Sequence, residues 1–546
     1  MTSKKTKLFT AATLITFFNI GVLFSFDIKQ FLADRYLHYF NVTPQDVEQI
    51  ESNICTTSTI VSIFIGLAIK WTSPSTVCVI SNLLLFLVTI GIYVAVDLVS
   101  FNTILILAYI RGVMISGIFL GQATLTVNLF TGQSLSLIMG LTQVVNSLTT
   151  AISSNLIPKV FDWKRSVPFC FFLGSLVSWV GSFLTVVWWI LEIRGWGQEI
   201  TLKHEEGEGA KDLVDEGQNQ GLGSEVEAES GSHGEIGKTK ENKDSAFSDL
   251  WDFNIWLNCF NYALGTTSEI IFSTFGNELF VRRFGFNTVE AGLIISLIPL
   301  LTIPFTPLYS WISMKYGLKT PILMLGYAAA AVAFISTALL PRQLSSEWQL
   351  AVPIFLYAQF ESISHAYLYT NIGLVSSSRI VSVAFSISSL LYGVIYVAET
   401  NLFGILLKPD TAGVYQLSLL IIAGLHIAGF LVSLMVFWID MKRGKVLYLP
   451  ENSDDVMEIK KMIDKGYKWF KKNYLKEKGR RAGQGKLRVA STSNYTLNNR
   501  LLSEKNQDDL DGDLLRSSAG KRTLLTTVSD QTKKVQDLRD TESSTN

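Results

Sequence analysis

Apolar residues run in long blocks along most of this chain, and charged residues collect in the gaps between them. Twelve such blocks occur, at 8–33, 50–70, 75–96, 102–128, 134–157, 168–191, 254–281, 288–312, 320–340, 350–373, 380–406 and 413–439. A helix rising ~1.5 Å per residue needs about 20 residues to cross a hydrocarbon layer ~30 Å thick. Each block is therefore predicted to be one membrane-spanning helix. Six blocks precede and six follow a polar stretch, and the two sets cover nearly equal lengths. That equality predicts an all-α membrane protein of twelve transmembrane helices in two pseudo-symmetric six-helix bundles, facing one another across a central cavity.

The segments between and after the bundles differ in kind. We read 1–195 as the first bundle, 196–250 as a disordered linker, and 251–440 as the second bundle. The linker is rich in Glu, Gly and Ser and too poor in apolar residues to offset chain entropy. Residues 441–484 are expected to hold a basic amphipathic helix. Val456, Ile459, Ile463, Tyr467, Phe470 and Tyr474 recur there at spacings of three and four, among many lysines. Such a helix is predicted to lie in the membrane interface, the alternative being a helix docked on the body. Residues 485–546 read as a disordered tail. Lys4, Lys5 and Lys7 precede the first block, which is too long for a signal peptide and lacks a cleavage site. With the N-terminus in the cytosol, Lys70, Arg194, Lys315, Lys319, Arg379 and Lys442 also fall on the cytosolic side, which gives a modest positive-inside bias and two cytosolic termini.

Charge and cysteine content narrow the function further. Lys plus Arg and Asp plus Glu each number 46, so a balanced charge gives no reason to expect a nucleic-acid partner. The four cysteines sit in apolar blocks without a CxxC or Cys/His cluster, as isolated thiols rather than disulfides or metal ligands. No Ser/His/Asp or metal-ligand constellation marks an enzyme, no cofactor is implied, and no P-loop indicates ATP-driven transport.

An ionisable side chain at mid-bilayer costs at least ~2.5–3.5 kcal/mol and survives where it faces a wet cavity or a partner. Six positions qualify as substrate-binding or proton-coupling candidates: Asp27, Arg111, Glu269, Glu361, His365 and Glu399, with Glu278 nearer a span end. Glu361 and His365 are four apart and share a helix face, where an acid and an imidazole can share a proton. Most of these groups are acidic, which suggests a path for a cationic group or for protons. Arg111 can pair with an acid or hold a substrate carboxylate, and Gly117 and Gly121 allow close helix contact. Pro299, Pro304 and Pro307 are expected to bend the eighth span.

Two stretches carry a family resemblance. Arg111-Gly112 through Asn155, with Leu129-Phe130-Thr131-Gly132-Gln133-Ser134-Leu135 and Met139-Gly140-Leu141, resembles spans four and five of a major facilitator carrier. Arg283-Phe284-Gly285-Phe286-Asn287, Ala291 and Pro304-Phe305-Thr306-Pro307-Leu308-Tyr309 resemble spans seven and eight of the lysosomal dipeptide transporter group, major facilitator superfamily domain-containing protein one. The resemblance implies the major facilitator fold, a dipeptide or amino-acid substrate, a facilitator (uniporter) mechanism, a lysosomal or endosomal membrane, and a glycosylated accessory membrane protein as partner.

Departures from the pattern are specific. The family's loop signature expects an acid where Lys70 stands, and another where Met314 stands in Met314-Lys315-Tyr316-Gly317-Leu318-Lys319. The dipeptide group carries a glutamate in span four and an arginine in span five, where this chain has Ser116 and Ser147. Leucine pairs Leu501-Leu502, Leu514-Leu515 and Leu524-Leu525 echo sorting signals, but Leu510 occupies the position where the acid of the middle pair belongs. The expectation is thus a secondary carrier of small organic solutes. Its alternatives are a transport-inactive membrane sensor or scaffold and a proton-coupled carrier of another small solute.

Overall fold

The computed structural model describes residues 4–42, 44–130, 135–196, 250, 252–341, 347–406, 412–451 and 453–464. The predicted linker, the end of the basic segment and the tail lie outside the described residues. The helices are α1 (Lys4–Thr16), α2 (Ile20–Phe31), α3 (Ala33–Phe40), α4 (Pro44–Trp71), α5 (Pro74–Asp97), α6 (Phe101–Phe130), α7 (Leu135–Lys164), α8 (Val167–Ile193), α9 (Phe253–Phe284), α10 (Thr288–Tyr316), α11 (Lys319–Leu339), α12 (Ala351–Val375), α13 (Val381–Leu406), α14 (Ala412–Arg443) and α15 (Asp454–Asp464), with a 3₁₀ turn at Glu347–Leu350. All twelve blocks are helical, and α1 and α2 together form the first.

Local chemistry sets several helix starts. Ser73 and Ser166 accept the N–H three residues on, each followed by a proline in the first turn of α5 or α8. Asn287 and Glu290 form a reciprocal capping box at α10. The three prolines of α10 stay inside one continuous helix, and Thr302 donates to the carbonyl of Pro299 at 2.8 Å. Large apolar side chains such as Leu87, Ile106, Phe183, Leu325 and Leu431 remain exposed, as lipid-facing groups do, while Trp71, Trp163 and Trp438 sit exposed near helix ends.

The two halves repeat one packing scheme. In the first, α5 packs on α6 and α8, α4 on α6, and α2 on α7 and α8. In the second, α11 packs on α12 and α14, α10 on α12, and α9 on α13 and α14. Each contact recurs with its partners advanced by six spans, so the duplication legible in block lengths is present in the packing.

Small residues bring the halves together in two symmetry-related pairs, α4 with α13 and α7 with α10. A side chain added at Gly66 would collide with Ser386, one at Gly393 with Thr59, and one at Gly140 with Ser310. Ser62 donates to the Ser386 carbonyl at 3.3 Å, while Ser136 and Ser313 hydroxyls lie 3.2 Å apart and those of Ser147 and Thr302 3.1 Å apart. These contacts extend toward the end of the molecule that carries Lys70, Lys315 and Arg379. Helices α2 and α9, the opening spans of each half, share no extensive contact among the described residues. The halves are thus sealed at one end and not joined through their first spans.

Span one is broken. Phe17, Phe18 and Ile20 make i→i−3 hydrogen bonds, and the chain resumes as α2. Gln122 of α6 spans the break: its amide donates to the Ile15 carbonyl at 2.6 Å and its oxygen accepts from the Asn19 amide. Side-chain amides thus take up backbone polarity that hydrocarbon cannot.

The predicted interfacial helix is corrected over its described part. Helix α15 packs on the body: Val456 and Ile459 are buried, and the Lys460 ammonium donates to the carbonyls of Gly373 and Ser376 at the end of α12. Apolar burial and an ammonium on an open helix C-terminus outweigh a membrane surface there. Burial pulls the Lys460 ammonium below its ordinary range, with Asp464 opposing. Residues 465–484 of that prediction lie outside the described residues.

The Gly393→Val variant should lose about 1–3 kcal/mol by overpacking against Thr59. Gly424→Ala, whose new methyl meets nothing within 4 Å, should be neutral or slightly stabilising. Thermal unfolding in detergent checks both.

Candidate functional site

Two spans break the apolar rule that the others keep. Ten helical segments among the described residues are long and apolar enough to cross a membrane, and α9 and α12 are not among them. These two carry Glu269, Glu361 and His365. Both lie between other helices of the second half, where a partner rather than lipid meets their polar groups.

The three groups converge. His365 Nε2 lies 2.9 Å from Glu269 Oε1, with the two side chains 13% and 21% exposed. Sequence spacing pairs His365 with Glu361 on its own helix. The structure gives its hydrogen bond to Glu269 on the neighbouring helix instead, because α9 and α12 pack side by side. Glu361 is buried beside them, and one donor atom from each of the three falls within 4.8 Å of the others. Two carboxylates and one imidazole so close in a poorly solvated space hold at least one proton or a counter-cation. The same donor set is of the kind a divalent ion accepts.

Tyrosines that sequence reading passed over surround this cluster. Tyr357, Glu361, His365 and Tyr369 recur every fourth residue, so they share a face of α12. The signal was a strict spacing of four, masked by apolar neighbours. The Tyr262 hydroxyl of α9 meets that of Tyr369 at 2.6 Å. The Tyr357 hydroxyl is buried without a hydrogen-bond partner and lies within electrostatic reach of both glutamates. Tyr392 of α13 is in electrostatic reach of Glu269, of Tyr262 and of Cys55 in the opposite half. The cluster therefore borders the junction of the halves.

The remaining candidates lie elsewhere. Arg111 is buried in the first half and donates to Ser25 Oγ at 3.0 Å and to the Val22 carbonyl at 3.3 Å. It lines a separate cavity with Tyr36, Ile54, Ala108 and Phe171. Glu399 is buried on α13, and its Oε2 has no hydrogen-bond partner. The Asp27 and Glu278 side chains lie outside the described residues. Ser116 is spent on a helix contact, with its hydroxyl 2.7 Å from that of Ser58, and Ser147 faces Thr302 across the halves. None of the four cysteines forms a disulfide.

No protein-family model matches the chain, and no curated protein matches it. Solved structures do resemble it. A major facilitator proton:xylose symporter, XylE, has a TM-score of 0.56 at 13% identity, over 80% of this chain and 96% of that one. The human organic anion transporter MFSD10 (TETRAN) has a TM-score of 0.54 at 12% identity, over 79% and 100%. The E. coli fucose:proton symporter FucP has a TM-score of 0.51 at 14% identity, over 78% and 98%. At such identities the likeness is one of fold, and the chain has the major facilitator fold.

A double-mutant cycle on Glu269→Gln and His365→Gln should return a coupling of about 1–3 kcal/mol in denaturant unfolding of the detergent-solubilised protein. Glu269→Gln with Ser116→Ala, in opposite halves, should add without coupling.

Proposed function

We propose that this chain is a secondary carrier of small organic solutes, working by alternating access between its two halves. The observation that carries the proposal is the Glu269–His365 pair with Glu361 beside it, at the junction of two pseudo-symmetric bundles. A purely structural membrane bundle gains nothing from burying two carboxylates and an imidazole together, whereas a carrier uses such groups to hold a proton or a cationic end of its cargo. The fold supports the reading, since the solved structures that share it are two symporters and an organic anion transporter.

Substrate and place rest on the sequence resemblance. We take the cargo to be dipeptides or amino acids, the membrane endolysosomal, both termini cytosolic, and a glycosylated accessory membrane protein a partner. With Ser116 and Ser147 committed to helix contacts, a peptide ammonium is left to the acids of α9 and α12. The end where the halves meet, with its basic loops, is then the cytosolic one.

Purified protein in proteoliposomes should take up labelled dipeptide above protein-free vesicles without needing a proton gradient, as a facilitator does; acceleration by an inward proton gradient would favour the proton-coupled alternative. Glu269→Gln and Glu361→Gln should each lower that flux by at least about tenfold, equivalent to ~1.4 kcal/mol. Wild-type flux no greater than that of empty vesicles across dipeptides and amino acids would remove the carrier reading. Full activity of both variants would remove the site.

A further inference from the structure

The segment after α14 does not leave the body. Gly444 and Lys445 take positive φ values of 125° and 66°, which turn the chain back under the second half. The Asp440 carboxylate accepts the Leu447 N–H at 3.1 Å and fixes the turn. Tyr448 and Leu447 carbonyls then accept the N–H groups of Leu318 and Lys319 at 2.9 and 3.0 Å. Here the Gly317 of the loop signature has a reason: its φ is +74°, and any side chain would run into Tyr448 and Leu449. The strap is stitched to the α10–α11 turn, and beyond it α15 is pinned by Lys460 on the end of α12 and by Asp464, which accepts the Ser378 N–H at 2.7 Å.

One side chain of this strap crosses to the other half. Glu451 is fully buried, and its carboxylate accepts the Ser136 N–H at 3.2 and 3.3 Å and the Ser136 hydroxyl at 2.6 Å. Ser136 is the second residue of α7, where backbone N–H groups have no intrahelical acceptor and the helix dipole favours an anion. The Ser136 hydroxyl also lies 3.2 Å from that of Ser313 on α10. Thus a carboxylate anchored to the second half supplies the N-terminal cap for a helix of the first, at the sealed end. Opening that end moves α7 away from α10, which leaves the Ser136 N–H without its cap and Glu451 without its donors.

We infer that the strap Gly444–Glu451 with α15 is a latch that holds the two halves closed at this end, and that Glu451 leaving Ser136 is a required step of opening there. The inference rests on the two-half carrier reading for its purpose. Its test reads the conformation and not the flux, so the two can fail separately.

The test uses full-length protein in nanodiscs, with the four native cysteines replaced by serine and Ser310→Cys as reporter. Ser310 is buried against Gly140 in the seam. A membrane-impermeant maleimide should label it about tenfold faster or more once Glu451→Ala removes the charge-assisted bonds. Ser136→Pro removes the N–H and hydroxyl from the other side, and proline is tolerated in a first helical turn. It should accelerate labelling to the same degree, and the double variant should go no further than either alone. Labelling within twofold of the parent in both single variants would overturn the latch. So would single effects that multiply in the double variant, since they would then act on separate contacts.

Discussion

A charge placed between hydrocarbon chains must find an opposite charge, a donor or water, and the Glu269–His365 bond is where this molecule meets that demand. The rest of the second half is arranged around it. Helices α9 and α12 give up apolarity to carry the cluster, so they are surrounded by helices that stay apolar. The tyrosines at spacing four extend the polar face, and Tyr392 of α13 is in electrostatic reach of both Glu269 and Cys55 of the first half.

The seam between halves follows a different rule. Lipid offers no hydrophobic drive for helices to associate, so closeness comes from small residues and hydroxyl pairs. Gly66, Gly140 and Gly393 face Ser386, Ser310 and Thr59 in this way, and three serine or threonine contacts accompany them. Such a surface combines close backbone approach with a few short polar contacts. A strap of directional polar bonds joins the halves at the same end.

The span pattern was legible because a bilayer imposes it: length is demanded of every crossing and apolarity of all but α9 and α12, and the block lengths carry the duplication. The cluster was legible in part. Glu269, Glu361 and His365 stood out as expensive residues, but which acid meets the imidazole depends on how α9 and α12 lie together, and spacing along one helix points to the wrong partner. Glu451 and Lys460 were not legible, since acids and lysines after a last span read as solvated. Only the return of the chain at Gly444 and Lys445 buries them. Over 454–464 the interfacial reading of the basic helix gives way for the same reason: Val456 and Ile459 of its apolar stripe are buried against protein.

The interruption of span one has a bearing on how the protein is built. Helices α1 and α2 hold 13 and 12 residues, each about 20 Å long at ~1.5 Å per residue, so neither crosses the layer alone. They must enter as a pair with their break, and the polar atoms of that break bond to Gln122, which lies more than a hundred residues further along the chain. The polarity of the break in the first span is therefore met by a side chain of the fourth.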